Sequence, residues 1–146
     1  MKPLEKVFWD EIAEMLHVEG MLAKSLLRMH GAASLAPVKE SFADYRAGAE
    51  HNLAELTRML KEFELPAREK KCDCMMGLLM KAQQAMQRLG TGPTTDALLI
   101  SVCRKVTAVK LASYASLIEW AKLLTEGKNK PVAILEKIIK AETQAD

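Results

Sequence analysis

Between Phe8 and Met29, seven residues recur at alternating steps of four and three: Phe8, Ile12, Met15, Glu19, Leu22, Leu26 and Met29. On a helix this spacing puts all seven on one face. Six of them are apolar and call for a core. The seventh is a carboxylate, and burying it without a cation, a metal or a set of donors costs several kcal/mol, on the order of the penalty for any unpaired buried charge. A fold that buries this face must therefore bring a neutralising group to Glu19 from elsewhere in the chain.

The 146 residues suit one domain with a full core, spanning 1–146. Nine Met, few aromatics and abundant Ala, Leu, Lys and Glu favour helix over sheet. The 21 basic and 19 acidic residues are interspersed along the chain, a pattern that points away from nucleic acid and from anionic membranes as partners. The longest apolar runs, such as Ala97 to Ile100, fall far short of the roughly 20 residues of a membrane span. Met1 to Glu14 places acids where a secretory signal would have its apolar centre. The expectation is a soluble, cytoplasmic protein. Three cysteines, Cys72, Cys74 and Cys103, cannot all pair within one chain and read as reduced thiols. Cys72 and Cys74 form a C-x-C without a second ligand pair at zinc-site spacing.

Punctuation divides the chain into five helical stretches. The first runs from Pro3 to His30 with Gly31 as its stop, and Ser34 is placed to cap the second. That second helix carries Phe42, Ala49, Leu53, Leu56, Leu60 and Phe63 at helical spacing and ends near Pro66. A shorter, Met-rich third helix spans Arg68 to Leu89, and Gly90 to Pro93 breaks the chain. The fourth extends from Thr94 to Thr125, about 48 Å at helical rise, with Gly127 as its end. Pro131 opens a fifth, in which Leu135, Ile138, Ile139 and Glu142 line one side. Four long amphipathic helices satisfy one another as an up-down bundle, and the third then serves as a helix within a crossover connection. The expected fold class is all-α: a ferritin-like four-helix bundle with an additional crossover helix.

Several stretches together resemble the ferritin-like stress-protein family typified by YciF and YciE. They are Phe8, Asp10, Glu11, Glu19, Leu22, Lys24, Leu26 and Met29 in the first helix; Lys70, Lys71, Cys72, Met75, Gly77 and Leu78 around the third; and Asp96, Ala97, Leu99, Ile100, Val106, Ala112, Tyr114, Leu117, Trp120 and Ala121 in the fourth. The resemblance covers nearly the whole chain. It implies a ferritin-like bundle, a homodimer, and a two-metal carboxylate site between the helices.

The metal positions are where this sequence departs from the family pattern. A di-iron or di-manganese bundle uses a Glu from each of two helices and Glu-x-x-His pairs from the other two. By the resemblance, Glu19 matches the first-helix ligand. Ala47 and Glu50 stand where the family tends to carry Glu and His, and Thr107, Ala108 and Lys110 stand in place of Glu-His-x-Glu. Glu142 matches a carboxylate of the last helix. Two readings follow. In the first, the protein is a non-enzymatic, stress-associated or structural bundle that has lost most of its di-metal ligands, with Lys110 as the substitute charge beside Glu19 and with Glu50 or Glu142. In the second, it is a di-metal carboxylate protein with oxidase- or ferroxidase-like activity, binding iron or manganese through Glu19, Glu50 and Glu142. No nucleophile elbow or phosphate-binding loop supports hydrolytic chemistry.

Overall fold

The computed structural model describes residues 2–125 and 130–144. It contains five α-helices: α1 (Pro3–Ala32), α2 (Ala36–Glu62), α3 (Asp73–Leu89), α4 (Pro93–Thr125) and α5 (Lys130–Gln144). Helices α1, α2, α4 and α5 form the bundle, with α1 packed on α2 and α4, and α5 closing the square against α4 and α2. The crossover helix α3 lies outside, against α4 and α1. This is the all-α bundle with a crossover helix that the apolar periodicity predicts.

The α1 stripe is buried along its whole length. Phe8, Ile12, Met15, Leu22, Leu26 and Met29 are each at most 3% exposed, and Glu19 is at 0%. Leu56 and Met59 of α2, Leu99, Val106 and Leu117 of α4, and Leu135 and Ile138 of α5 meet them in the core. Pro at the first turn starts both α1 and α2, where its missing N–H costs nothing.

Local chemistry differs from expectation in four places. Gly31 lies inside α1, which ends at Ala32 because the Ala33 N–H bonds back to the Met29 carbonyl while Ala33 itself turns to extended backbone. Ser34 does not cap α2. Its backbone N–H and hydroxyl donate to Asp96, as does the Leu35 N–H, at 2.8, 2.9 and 3.1 Å. A carboxylate in the first turn of α4 therefore ties down the two backbone N–H groups just ahead of α2 and fixes where that helix starts. These N–H donors hold the Asp96 carboxyl below its ordinary range.

Residues 68–72 are not helical, and α3 begins at Asp73. They form an extended strap across α1: Lys70 N donates to the Ala13 carbonyl at 3.1 Å, and Cys72 N donates to His17 Nδ1 at 3.3 Å. Backbone groups committed to α1 cannot also start a helix. Finally, Phe63 is 43% exposed and rests against Trp9, with ring centroids 5.2 Å apart. The Gly127 stop lies outside the described residues. Gly90 closes α3 with φ 66°, a left-handed conformation natural for glycine, and donates to the Met86 carbonyl at 3.0 Å.

Candidate functional site: a buried lysine between two carboxylates

Midway along the bundle, each of its four helices turns at least one polar side chain inward at the same level. Glu19 comes from α1, Tyr45 and Asn52 from α2, Thr107, Lys110 and Tyr114 from α4, and Glu142 from α5. Helical spacing explains the convergence: 45 and 52 fall on the apolar face of α2 defined by Phe42, Ala49 and Leu56, while 107, 110 and 114 continue the α4 face between Val106 and Leu117.

Lys110 stands at the centre and is fully buried. Its Nζ lies 2.8 Å from Glu19 Oε1 and 2.7 Å from Glu142 Oε1. The contact with Glu19 Oε1 is one of charge alone, since that oxygen has no partner in hydrogen-bonding alignment, whereas Glu142 Oε1 accepts a hydrogen bond. The ammonium also stands 5.0 Å from the Tyr45 ring centroid, close enough for the ring face to stabilise it. The outer oxygens are served in turn. Glu19 Oε2 accepts from the Tyr114 hydroxyl at 2.5 Å and from Asn52 Nδ2 at 3.1 Å. Glu142 Oε2 accepts from the Tyr45 hydroxyl, which lies 2.8 Å from Thr107 Oγ1.

Two carboxylates face one ammonium, and the electrostatics carry that imbalance. Burial raises the Glu19 carboxyl above its ordinary range, opposed by the charge of Lys110 and by the Tyr114 hydrogen bond, while Glu142 pushes in the same direction as burial. Burial and the neighbouring carboxylates also push the phenols of Tyr45 and Tyr114 well above 10, so both remain protonated donors. Chemically the cluster is a closed hydrogen-bonded ion network.

Of the residues singled out from sequence, the structure joins Glu19, Lys110 and Glu142. Glu50 stands apart: it is exposed and pairs with Arg46 on its own helix at 2.9 Å. The three histidines also lie elsewhere. His17 accepts from the strap, the His30 carbonyl takes the Lys39 ammonium, and His51 is exposed. Among the described residues, no group of three or more His, Cys, Asp or Glu is placed to hold a metal ion. On α4, sequence reasoning gave Thr107 and Tyr114 no part in the site, and it missed Tyr45 and Asn52 of α2 altogether. The signal was their position, for each falls on the apolar α2 face as a polar interruption like that of Glu19.

A family model described as a domain of unknown function (DUF892) matches residues 3–146. The chain belongs to this family. Protein YciF of Escherichia coli (strain K12) is 24% identical over 147 aligned positions, covering 100% of this chain and 87% of YciF. Among solved structures, the E. coli stress protein YciF superposes with a TM-score of 0.90 at 24% identity, covering 100% of this chain and 91% of that one. YcfI of Rhodopseudomonas palustris, for which a structural role has been suggested, gives 0.91 at 19% identity, covering 99% and 91%. At these identities the two solved structures establish the shared bundle fold.

Proposed function

We propose that this DUF892 protein is a non-enzymatic, ferritin-like bundle with a stress-associated or structural role, in which the Lys110 ammonium takes the position a metal centre would hold. The observation that carries this reading is the placement of Nζ within 2.8 Å of both buried carboxylates. A pair of metal ions does not fit the remaining donors. Hard cations need several free oxygens and, in this architecture, imidazole, yet Glu19 and Glu142 spend theirs on Lys110, Asn52 and the two tyrosines. The names of the relatives, a stress protein and one with a suggested structural role, support the same assignment. Cytoplasmic location and self-association belong to this reading.

Metal analysis tests it directly. After expression with added iron and manganese, mass spectrometry of the desalted protein is expected to find substoichiometric metal, unchanged by Glu19→Ala. About two metals per chain, lost in Glu19→Ala, would replace this reading with the oxidase- or ferroxidase-like one.

A further inference from the structure

Besides its charges, the buried network holds the parts of an acyl-transfer site. Glu19 Oε2 takes two donors, the Tyr114 hydroxyl at 2.5 Å and Asn52 Nδ2 at 3.1 Å. Glu19 Oε1 takes none, and Lys110 Nζ stands 2.8 Å from it out of hydrogen-bonding alignment. Moving Nζ from that oxygen to the carbon behind it therefore breaks no hydrogen bond to Glu19. On its other side Nζ donates to Glu142 Oε1 at 2.7 Å, and the second oxygen of Glu142 is fixed by the Tyr45 hydroxyl, itself in contact with Thr107. A nucleophile, a base, an acyl carbon and a pair of donors on one acyl oxygen are thus side by side. Lys110 and Glu19 are both at 0% exposure, where loss of solvation disfavours the ions and favours a neutral amine beside a neutral acid.

We propose that the chain cross-links itself at this point: Lys110 Nζ and Glu19 Cδ form an isopeptide bond with loss of one water, Glu142 carrying a proton between them. The inference rests on the reading that Lys110 stands in place of a metal centre, and the ion network is the reactant state. One ammonium proton moves to Glu19 Oε1, 2.8 Å away, and a second to the hydrogen-bonded Glu142. The amine lone pair attacks Cδ, and the charge that develops on Oε2 falls on the Tyr114 and Asn52 donors. Glu142 then delivers its proton to the Oε1 hydroxyl, the Cδ–Oε1 bond breaks and water departs. Of the three ammonium protons one stays on the amide nitrogen and two leave in the water. Glu142 returns to a carboxylate, and no oxidant or cofactor takes part. Condensation of a free amine with a free acid is unfavourable in water, but holding both in one fold acts as an effective concentration of about 10⁵–10⁸ M. The product ties α1 to α4 midway along both helices and closes a ring from Glu19 to Lys110, which limits how far the chain can open.

Intact-mass spectrometry of the full 16.2 kDa chain reads the reaction directly. As the folded protein is incubated at neutral pH, a species lighter by one water, about 18 Da, is expected to accumulate. Fragmentation should place the new bond between the peptides that carry Glu19 and Lys110. Lys110→Arg should stay at its sequence mass, because a guanidinium that keeps its proton is no nucleophile. Glu142→Gln and Tyr114→Phe keep the shape of the network, with circular dichroism as the check on folding. Each should slow the water loss about 100-fold or more, the scale of one proton carrier or one acyl-oxygen donor. The proposal is overturned by a parent that stays at its sequence mass, by a water loss that persists in Lys110→Arg, or by an unchanged rate in either of the other variants. A bond mapped to Glu142, or a loss of about 17 Da as ammonia from Asn52, overturns it as well. Metal analysis of the same sample separates this outcome from the functional reading. Full mass without metal removes the cross-link and leaves the Lys110 charge in place of a metal, whereas stoichiometric metal removes both.

Discussion

Removing the Lys110 ammonium strands two buried carboxylates at once. Lys110→Met is therefore expected to lower unfolding stability by about 3–5 kcal/mol, the range for breaking a buried pair from one side, as measured by urea denaturation. Neutralising the whole network is a different change. Lys110→Met combined with Glu19→Gln and Glu142→Leu should recover most of the loss, because replacing a complete buried ion set with groups of similar volume is close to neutral. A single-variant loss under about 1 kcal/mol would be that of an exposed ion pair and would contradict the burial. Glu19 was legible in the sequence because it interrupts a long apolar stripe, and such an interruption has to be explained chemically, whereas Lys110 was picked out by the resemblance, as a lysine standing where the family pattern carries a metal ligand. Tyr45 and Asn52 were less legible: tyrosine passes for core filler, and the amide of Asn52 serves Glu19 from a helix 33 positions away. Glu50 was chosen by alignment with the family pattern, although its i,i+4 partner Arg46 was already visible as a surface pair.

At the scale of elements, helix existence was legible and helix ends were not. Stripes follow from periodicity, whereas ends depend on partners remote in sequence: Asp96 serves the start of α2, and the Ala13 carbonyl and His17 hold the strap out of α3. The α1 surface beside that strap has its own pH signature. Burial, a hydrogen bond with Glu14 and the Glu14 charge raise the Glu11 carboxyl from 4.5 to about 7, against the pull of Lys70. A raised carboxyl favours the folded state while it is protonated. Its contribution is complete below the unfolded value of 4.5 and is lost as pH rises to about 7. Glu11→Gln keeps the side chain neutral, so thermal melts of the variant should lack the part of the decline in stability that the parent shows across this window. Glu11 is partly exposed, so solvent screening reduces the expected gain at pH 8 to about 1 kcal/mol. Coincident pH profiles for the two proteins would show that Glu11 titrates as an ordinary surface acid.

At the scale of the molecule, the crossover divides the methionine-rich face of α3 in two. Met75 and Leu79 turn inward and are buried, while Met76 is 38% and Met80 55% exposed. Beside them runs a groove of about 690 Å³ between α1, α2 and α3, flanked by Leu27, which is 52% exposed. The groove walls carry both signs, with Lys24, Arg28 and Arg46 near Glu50 and Glu69. A surface that contains its own counter-charges is suited to a two-fold interface, in which each positive group can meet a negative one of an identical patch. Flexible methionines adapt to such a partner surface more readily than branched side chains do. The expected assembly is a homodimer formed through this face, with a mass in sedimentation equilibrium of twice the 16.2 kDa chain. Met80→Asp would place a carboxylate in the buried centre of that interface and should weaken dimerisation by about tenfold or more, the effect of desolvating an unpaired charge. The same substitution faces solvent in the isolated chain, so its unfolding midpoint measured at concentrations where the parent is monomeric should be unchanged. A monomeric parent, or a Met80→Asp variant that dimerises with undiminished affinity, would remove this face from the assembly.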